Sequence, residues 1–254
     1  MKKAVSSYKS LNTIKRYLGL NGEDYWHIDY PVYQEEYDGQ HYFLDISKKA
    51  SMYHGEFDEN GIYLYRGSDG NNYYSVINLA QYAIGSYLLY LNNNMDKWKR
   101  EFIKHCDWLI DNQEKYFETE GVWVNRYPVK TFDLYENWAS SLCQAFGISA
   151  LTRAYMETGK EKYINGALKA VNIFFVDVSN KGVLREKEKG FICLEEYPTG
   201  KPSYVLNGYI FSILYKLTGM EQFKKYAEKW EGYSNNLFCR GKAFLNKVKF
   251  RLNT

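Results

Sequence analysis

Thr158-Gly159-Lys160-Glu161-Lys162-Tyr163 has the form of a turn between two helices. Glycine stands where the first helix has to stop in a left-handed conformation, and an aromatic residue lies just inside the second. The same arrangement appears at Asn93-Asn94-Met95-Asp96-Lys97-Trp98 and at Thr218-Gly219-Met220-Glu221-Gln222-Phe223, so the stop residue recurs after 65 and then 60 residues. A repeat of this period predicts helical hairpins in series. Within the third unit, Leu206, Ile210, Ile213 and Leu217 fall on one helical face, and Pro202 suits the first turn, where its missing N–H costs nothing. The expected fold class is mainly α: an incomplete α/α barrel (toroid) of helical hairpins with a small N-terminal β-rich region.

Working outward from the turns, short strand signals lie between the hairpins. Gly121-Val122-Trp123-Val124 precedes Tyr135-Glu136-Asn137-Trp138, while Gly182-Val183-Leu184 and Phe191-Ile192-Cys193-Leu194 precede Glu195-Glu196-Tyr197-Pro198-Thr199. Further strands are expected at Tyr42-Phe43-Leu44-Asp45 and Gly61-Ile62-Tyr63-Leu64. The chain therefore divides into residues 1–74, a β- and loop-rich region packing on the barrel, residues 75–235, the helical domain, and residues 236–254, a basic amphipathic tail. A barrel of this kind gathers its inter-hairpin loops at one end, where a substrate can lie.

Composition excludes several classes. A net charge of +3 is too small to argue for nucleic acid. It is also uneven, because from Gly232 to Thr254 five cations meet no Asp or Glu, which leaves the remainder at −2. In that tail Leu245, Val248 and Leu252 share a helical face. It reads as a solvated, frayed terminus or, alternatively, as a short amphipathic helix on an anionic membrane surface. The four cysteines lie far apart without CxxC or histidine spacing, so reduced thiols are expected rather than a zinc site or disulfide scaffold. No apolar segment follows the opening Met1-Lys2-Lys3, and no run of 18 apolar residues occurs, so a cytoplasmic protein is expected, peripheral at the inner membrane face if the tail binds there. The 26 tyrosines fit either an AT-rich genome or a sugar-binding cleft, which favours rings with a polar tip.

The segment most loaded with chemistry is Leu194-Glu195-Glu196-Tyr197-Pro198-Thr199. Pro198 keeps Tyr197 out of the α region, so the stretch is expected to be extended, with Glu195 and Tyr197 on one side and Glu196 on the other. A paired glutamate is usually solvated, and a tyrosine before proline is often only a turn residue. Glu195-Glu196-Tyr197-Pro198-Thr199 followed by Ser203-Tyr204-Val205-Leu206-Asn207-Gly208-Tyr209 nevertheless resembles the signature of the glucuronyl C5-epimerase family. Gln144 to Ala154, Tyr163 to Ala170 and Ile77-Asn78-Leu79-Ala80-Gln81-Tyr82 are similar to further blocks of that family, in family order across roughly 75 to 220.

The resemblance implies an epimerase that inverts C5 of glucuronic acid units, giving iduronic acid, in a heparosan-like polysaccharide. The chemistry removes a proton α to a carboxylate and returns one to the opposite face, with neither a redox cofactor nor a metal required. It implies Glu196 and Tyr197 as catalytic, with Tyr74, Gln81, Tyr135, Glu136, Asn137, Arg153, Glu195, Tyr204 and Asn207 around the substrate. Arg153, in mid-helix, reads equally well as a buried structural partner of a carboxylate. The partner implied is a uronic-acid polymer, and the family's dimers imply a homodimer. One family segment, D-Y-H-T-T-H, has no counterpart in this sequence, which leaves Tyr233, Tyr25, Tyr30 or Tyr33 to supply the second proton carrier. Two other functions share these features: a uronate polysaccharide lyase, which begins with the same proton abstraction, and a non-catalytic glycan-binding protein.

Overall fold

The computed structural model describes residues 39–236 apart from 43, 68, 136, 187–191 and 201–208. After the short helix α1 (Lys48–Ser51), the α-helices come in pairs. They are α2 (Val76–Asn93) with α3 (Asp96–Asp111), α4 (Ser141–Thr158) with α5 (Glu161–Val171), and α6 (Tyr209–Thr218) with α7 (Glu221–Asn235). Each pair turns at a left-handed residue: Asn94 at φ 50°, Gly159 at φ 67° and Gly219 at φ 66°. These are the stop positions expected from the repeat. Mainly α is therefore the observed class.

The first helices of successive pairs touch one another, α2 against α4 and α4 against α6, and each also packs on its own partner. This explains why α4 is buried on nearly all sides, including polar Gln144, Thr152 and Arg153, whereas α3 and α5 bury single stripes. On α3 the stripe is Phe102, His105, Cys106 and Leu109, the i, i+3, i+4, i+7 spacing of an amphipathic helix. Among the described residues no helix is long and apolar enough to cross a membrane.

The β-structure consists of two-stranded antiparallel ladders: β1 (Tyr65–Arg66) with β2 (Asn72–Tyr73), β3 (Glu114–Tyr116) with β4 (Thr119–Val122), β5 (Val124–Asn125) with β6 (Trp138–Ala139), and β7 (Leu184–Glu186) with β8 (Ile192–Leu194). The strand expected at 61–64 lies further on, at β1, while Tyr63 forms only an isolated bridge to Phe57. Between β4 and β5, Trp123 is locked into the core. Its Nε1 donates to the Leu109 carbonyl at 2.8 Å, and its own main chain pairs with the Gln144 amide at 3.3 and 2.7 Å. Its ring also lies where a Cβ on Gly147 would stand, 2.4 Å away, so α4 needs glycine there. Cys106 and Cys143 are buried free thiols.

A buried histidine makes the core pH-sensitive. His105 is fully buried; its Nδ1–H donates to the Glu101 carbonyl at 2.7 Å and its Nε2 accepts the Tyr63 N–H at 3.2 Å, which defines a neutral ring. Burial drives its pKa from 6.5 down to about 4, since the Glu101 carboxylate, 4.0 Å away, offsets too little of that cost. The unfolded chain therefore takes up this proton as pH falls through 6.5, and the folded chain not until about 4. The contribution is complete above pH 6.5 and about 3 kcal/mol of stability is lost on descending to pH 4. Urea midpoints at both ends of this window should differ far less in His105→Gln than in the unsubstituted chain. An equal difference in the two would show that His105 does not carry the effect.

Candidate active site

Two hairpins converge on the start of α4. The β5–β6 ladder pairs Asn125 with Trp138 and Val124 with Ala139, and so delivers Ser140, whose hydroxyl accepts the Cys143 N–H at 3.4 Å as the N-cap of α4. The β7–β8 ladder delivers Glu195, whose carbonyl accepts the Ser141 N–H at 3.0 Å. From the third side comes Ser75, which precedes α2 and whose hydroxyl is 3.2 Å from that of Tyr127. The beginnings of two adjacent helices and the loops before them thus meet in one place.

Aromatic rings fill that place. Tyr197 lies flat on Phe132, with centroids 4.1 Å apart and 9° between planes, and stands 5.7 Å from Trp138. Tyr127 contacts Trp138 edge-on at 5.6 Å and is flanked by Tyr65 at 5.4 Å and Tyr73 at 5.9 Å. The Trp138 Nε1–H donates to the Tyr127 carbonyl at 3.1 Å, fixing both rings. Phe132 closes a short 3₁₀ turn (Lys130–Phe132) stopped by Asp133 at φ 54°. The loop returns through Asn137, at φ 44°, whose carbonyl accepts the Tyr116 O–H at 3.0 Å.

Electrostatics single out one pair. Burial, and then the charge and hydrogen bond of Glu196, hold the Tyr197 phenol above its usual value of 10.0. Tyr197 therefore rests as a protonated donor beside a carboxylate acceptor. Burial also raises Tyr127, with lesser contributions from Cys143, Tyr197 and Tyr65, and it pushes the Cys143 thiol up to about 11. Among the described residues there is no cluster of side chains able to hold a metal ion.

Glu196 and Tyr197 are thus brought together, but not as an alternating extended strand would place them. Residues 196 and 197 form a bend, so Glu196 turns to the Tyr197 hydroxyl. Glu195 is fully buried, its carboxylate 2.7 Å from Arg185 Nε. Tyr135, 61% exposed, and Asn137 share the loop that carries Phe132. Gln81 is half-buried on the second turn of α2. Tyr74 points elsewhere: its hydroxyl donates to Asp58 at 2.8 Å and its ring lies 5.1 Å from Trp108, while its neighbours Tyr73 and Ser75 face Tyr127.

Arg153 is not part of the cluster. Twelve residues beyond Ser141, it lies about 18 Å along the helix axis from the start of α4. There it is fully buried, donating to the carbonyls of Gln40 at 2.8 Å, His41 at 2.9 Å and Ser149 at 2.9 Å, with its guanidinium over the Tyr42 ring. Glu136, Tyr204 and Asn207 lie outside the described residues, as do Tyr25, Tyr30, Tyr33, the side chain of Tyr233 and the tail beyond residue 236. Sequence reasoning missed Tyr65, Tyr127, Phe132, Cys143 and Arg185. Only ladder register and loop closure bring these together, and no local pattern announces either.

Residues 117–236 match the model of the D-glucuronyl C5-epimerase C-terminus. The chain is similar to a D-glucuronyl C5-epimerase of Caenorhabditis elegans, 36% identical over 137 residues, which are 52% of this chain and 21% of that protein. It is also similar to an uncharacterized protein of Methanocaldococcus jannaschii, 37% identical over 97 residues, covering 37% of this chain and 32% of the other. The chain thus spans only a fifth to a third of the curated relatives it matches. The segment 117–236, which holds Phe132, Trp138, Glu196 and Tyr197, is therefore the part of this chain that is similar to the C-terminal region of the D-glucuronyl C5-epimerases.

Proposed function

We propose that this chain epimerises C5 of glucuronate units within a heparosan-like polysaccharide, and that its helical pairs form part of an incomplete α/α toroid with the aromatic cluster at the substrate end. The observation that carries this reading is the hydrogen-bonded Glu196–Tyr197 pair, set among rings inside the segment that matches the family. Epimerisation breaks the C5–H bond and delocalises its electron pair into the adjacent carboxylate. A new C5–H bond then forms on the opposite face, with no net oxidation or reduction. Because its pKa is raised, the Tyr197 phenol is protonated at neutral pH and offers its proton or a hydrogen bond to the developing enolate. In the free site that hydroxyl donates to Glu196; once it turns to the sugar, the Glu196 carboxylate is left as the base that takes the C5 proton, and it resets by exchange with solvent. A second carrier is needed on the other face, and the neighbouring phenols Tyr65 and Tyr127 can supply it. Stacked rings with polar tips suit a sugar, whose C–H face and hydroxyls require both kinds of partner.

The test is incubation with glucuronate polymers in deuterated water, with absorbance followed in parallel. Deuterium at C5 without an absorbance rise is expected. Unsaturated product absorbing in the ultraviolet would instead assign a lyase, and binding without exchange a glycan-binding module.

A further inference from the structure

Arg185 grips the loop that carries Glu196 and Tyr197 at both ends. It sits on β7, paired across the ladder with Cys193, directly beside the exit of β8 into the loop. On the near side its Nε donates to the buried Glu195 carboxylate at 2.7 Å. On the far side its Nη2 donates to the Thr199 carbonyl at 2.5 Å, and the Thr199 N–H in turn donates to the Tyr197 carbonyl at 2.8 Å. Glu195 is further held by its main chain, its N–H to the Val183 carbonyl at 2.8 Å and its carbonyl to the Ser141 N–H at 3.0 Å. The five-residue span from Glu195 to Thr199 is thus closed by one planar guanidinium, with Glu196 and Tyr197 at its apex.

We propose that Arg185 is a positioning residue for the proton-transfer pair, holding the Glu195–Thr199 loop in the bend that brings the Glu196 carboxylate to the Tyr197 hydroxyl. The inference rests on the epimerase reading for its kinetic consequence, but its structural content stands apart from it. Geometry rather than charge is what the side chain supplies. A guanidinium fork makes two hydrogen bonds in fixed directions, whereas an ammonium at the same place is a point charge that can compensate Glu195 but does not reproduce the bridge.

Arg185→Lys therefore separates the two roles, since it leaves the buried carboxylate with a counter-charge. The pair Arg185→Met with Glu195→Gln removes both charges and so avoids an uncompensated buried carboxylate should the lysine variant fold poorly. Two readouts are taken on the full chain. The first is the ¹³Cζ resonance of Tyr197, assigned through Tyr197→Phe and titrated with base. The second is C5 exchange resolved into kcat and KM.

In both variants the Tyr197 phenol should titrate lower than in the unsubstituted chain, because burial still raises it but the Glu196 carboxylate has moved away. kcat should fall on the order of 10²-fold at nearly constant KM, the cost of a displaced proton carrier in a site that still binds. An unchanged Tyr197 titration in Arg185→Lys would overturn the proposal, as would full recovery of kcat in the charge-free pair. If the unsubstituted chain shows no exchange on any polymer, the epimerase reading falls, and the Tyr197 titration alone then decides whether Arg185 shapes the loop.

Discussion

Tyr197→Phe should lose about 10³-fold in C5 proton exchange while melting as the unsubstituted chain does. The substitution removes one oxygen and leaves the ring, so the flat stack on Phe132 at 4.1 Å and the contact with Trp138 at 5.7 Å persist. What disappears is the protonated phenol and the hydrogen bond it gives to Glu196. Glu196→Gln, which keeps the shape but removes the carboxylate, should fall by a comparable factor. The pH dependence adds a signature. Since the phenol is raised above 10.0, activity should not be lost through Tyr197 ionisation anywhere below the usual tyrosine range. Exchange is measured as deuterium entering C5, with the melting curve recorded on the same sample. Near-normal exchange in the phenylalanine variant would remove Tyr197 from the mechanism.

The largest stability effect is expected at Arg153. Arg153→Met preserves most of the buried stem but leaves the carbonyls of Gln40, His41 and Ser149 without the guanidinium that now donates to them. A hydrogen bond from a charged group contributes about 1.5–3 kcal/mol, so losing those to Gln40 and His41 costs roughly 3–5 kcal/mol, while the Ser149 carbonyl keeps the Thr152 hydroxyl. The tie is long in sequence, joining residues 40 and 41 to the middle of α4, so the segment before α1 should lose its hydrogen-exchange protection first. The measurement is a urea midpoint together with KM for the polymer. A markedly lower midpoint with KM unchanged is the expected pattern. A raised KM at unchanged stability would instead make Arg153 a substrate ligand, the role its sequence context also allows.

What could be read from sequence depended on how locally each feature is determined. The helix pairs were legible because a helix stopping in the left-handed region selects glycine or asparagine at a single position, and Asn94, Gly159 and Gly219 mark those positions. The hairpin before residue 195 was legible from Gly182-Val183-Leu184 and Ile192-Cys193-Leu194, which became β7 and β8. The strand expected at 61–64 was displaced because two-residue strands carry little alternation to fix their ends.

At the site, Glu196 and Tyr197 stood out through a motif, but their relation to Glu195 did not. Alternation assumes an extended chain, whereas Arg185 holds this loop bent. Tyr127 and Phe132 gave no signal at all. One is fixed by the β5–β6 register and the hydroxyl of Ser75, and the other by a 3₁₀ turn ending at Asp133. Arg153 was ambiguous for another reason: α4 is buried on nearly every side, so its periodicity does not tell a cleft from a core.

The most direct test is to incubate the purified chain with a heparosan-type polymer in deuterated water and follow C5 of the uronate by NMR. Epimerisation predicts deuterium at C5 together with new iduronate signals, both abolished by Tyr197→Phe. A folded chain that binds the polymer yet incorporates no deuterium would contradict it.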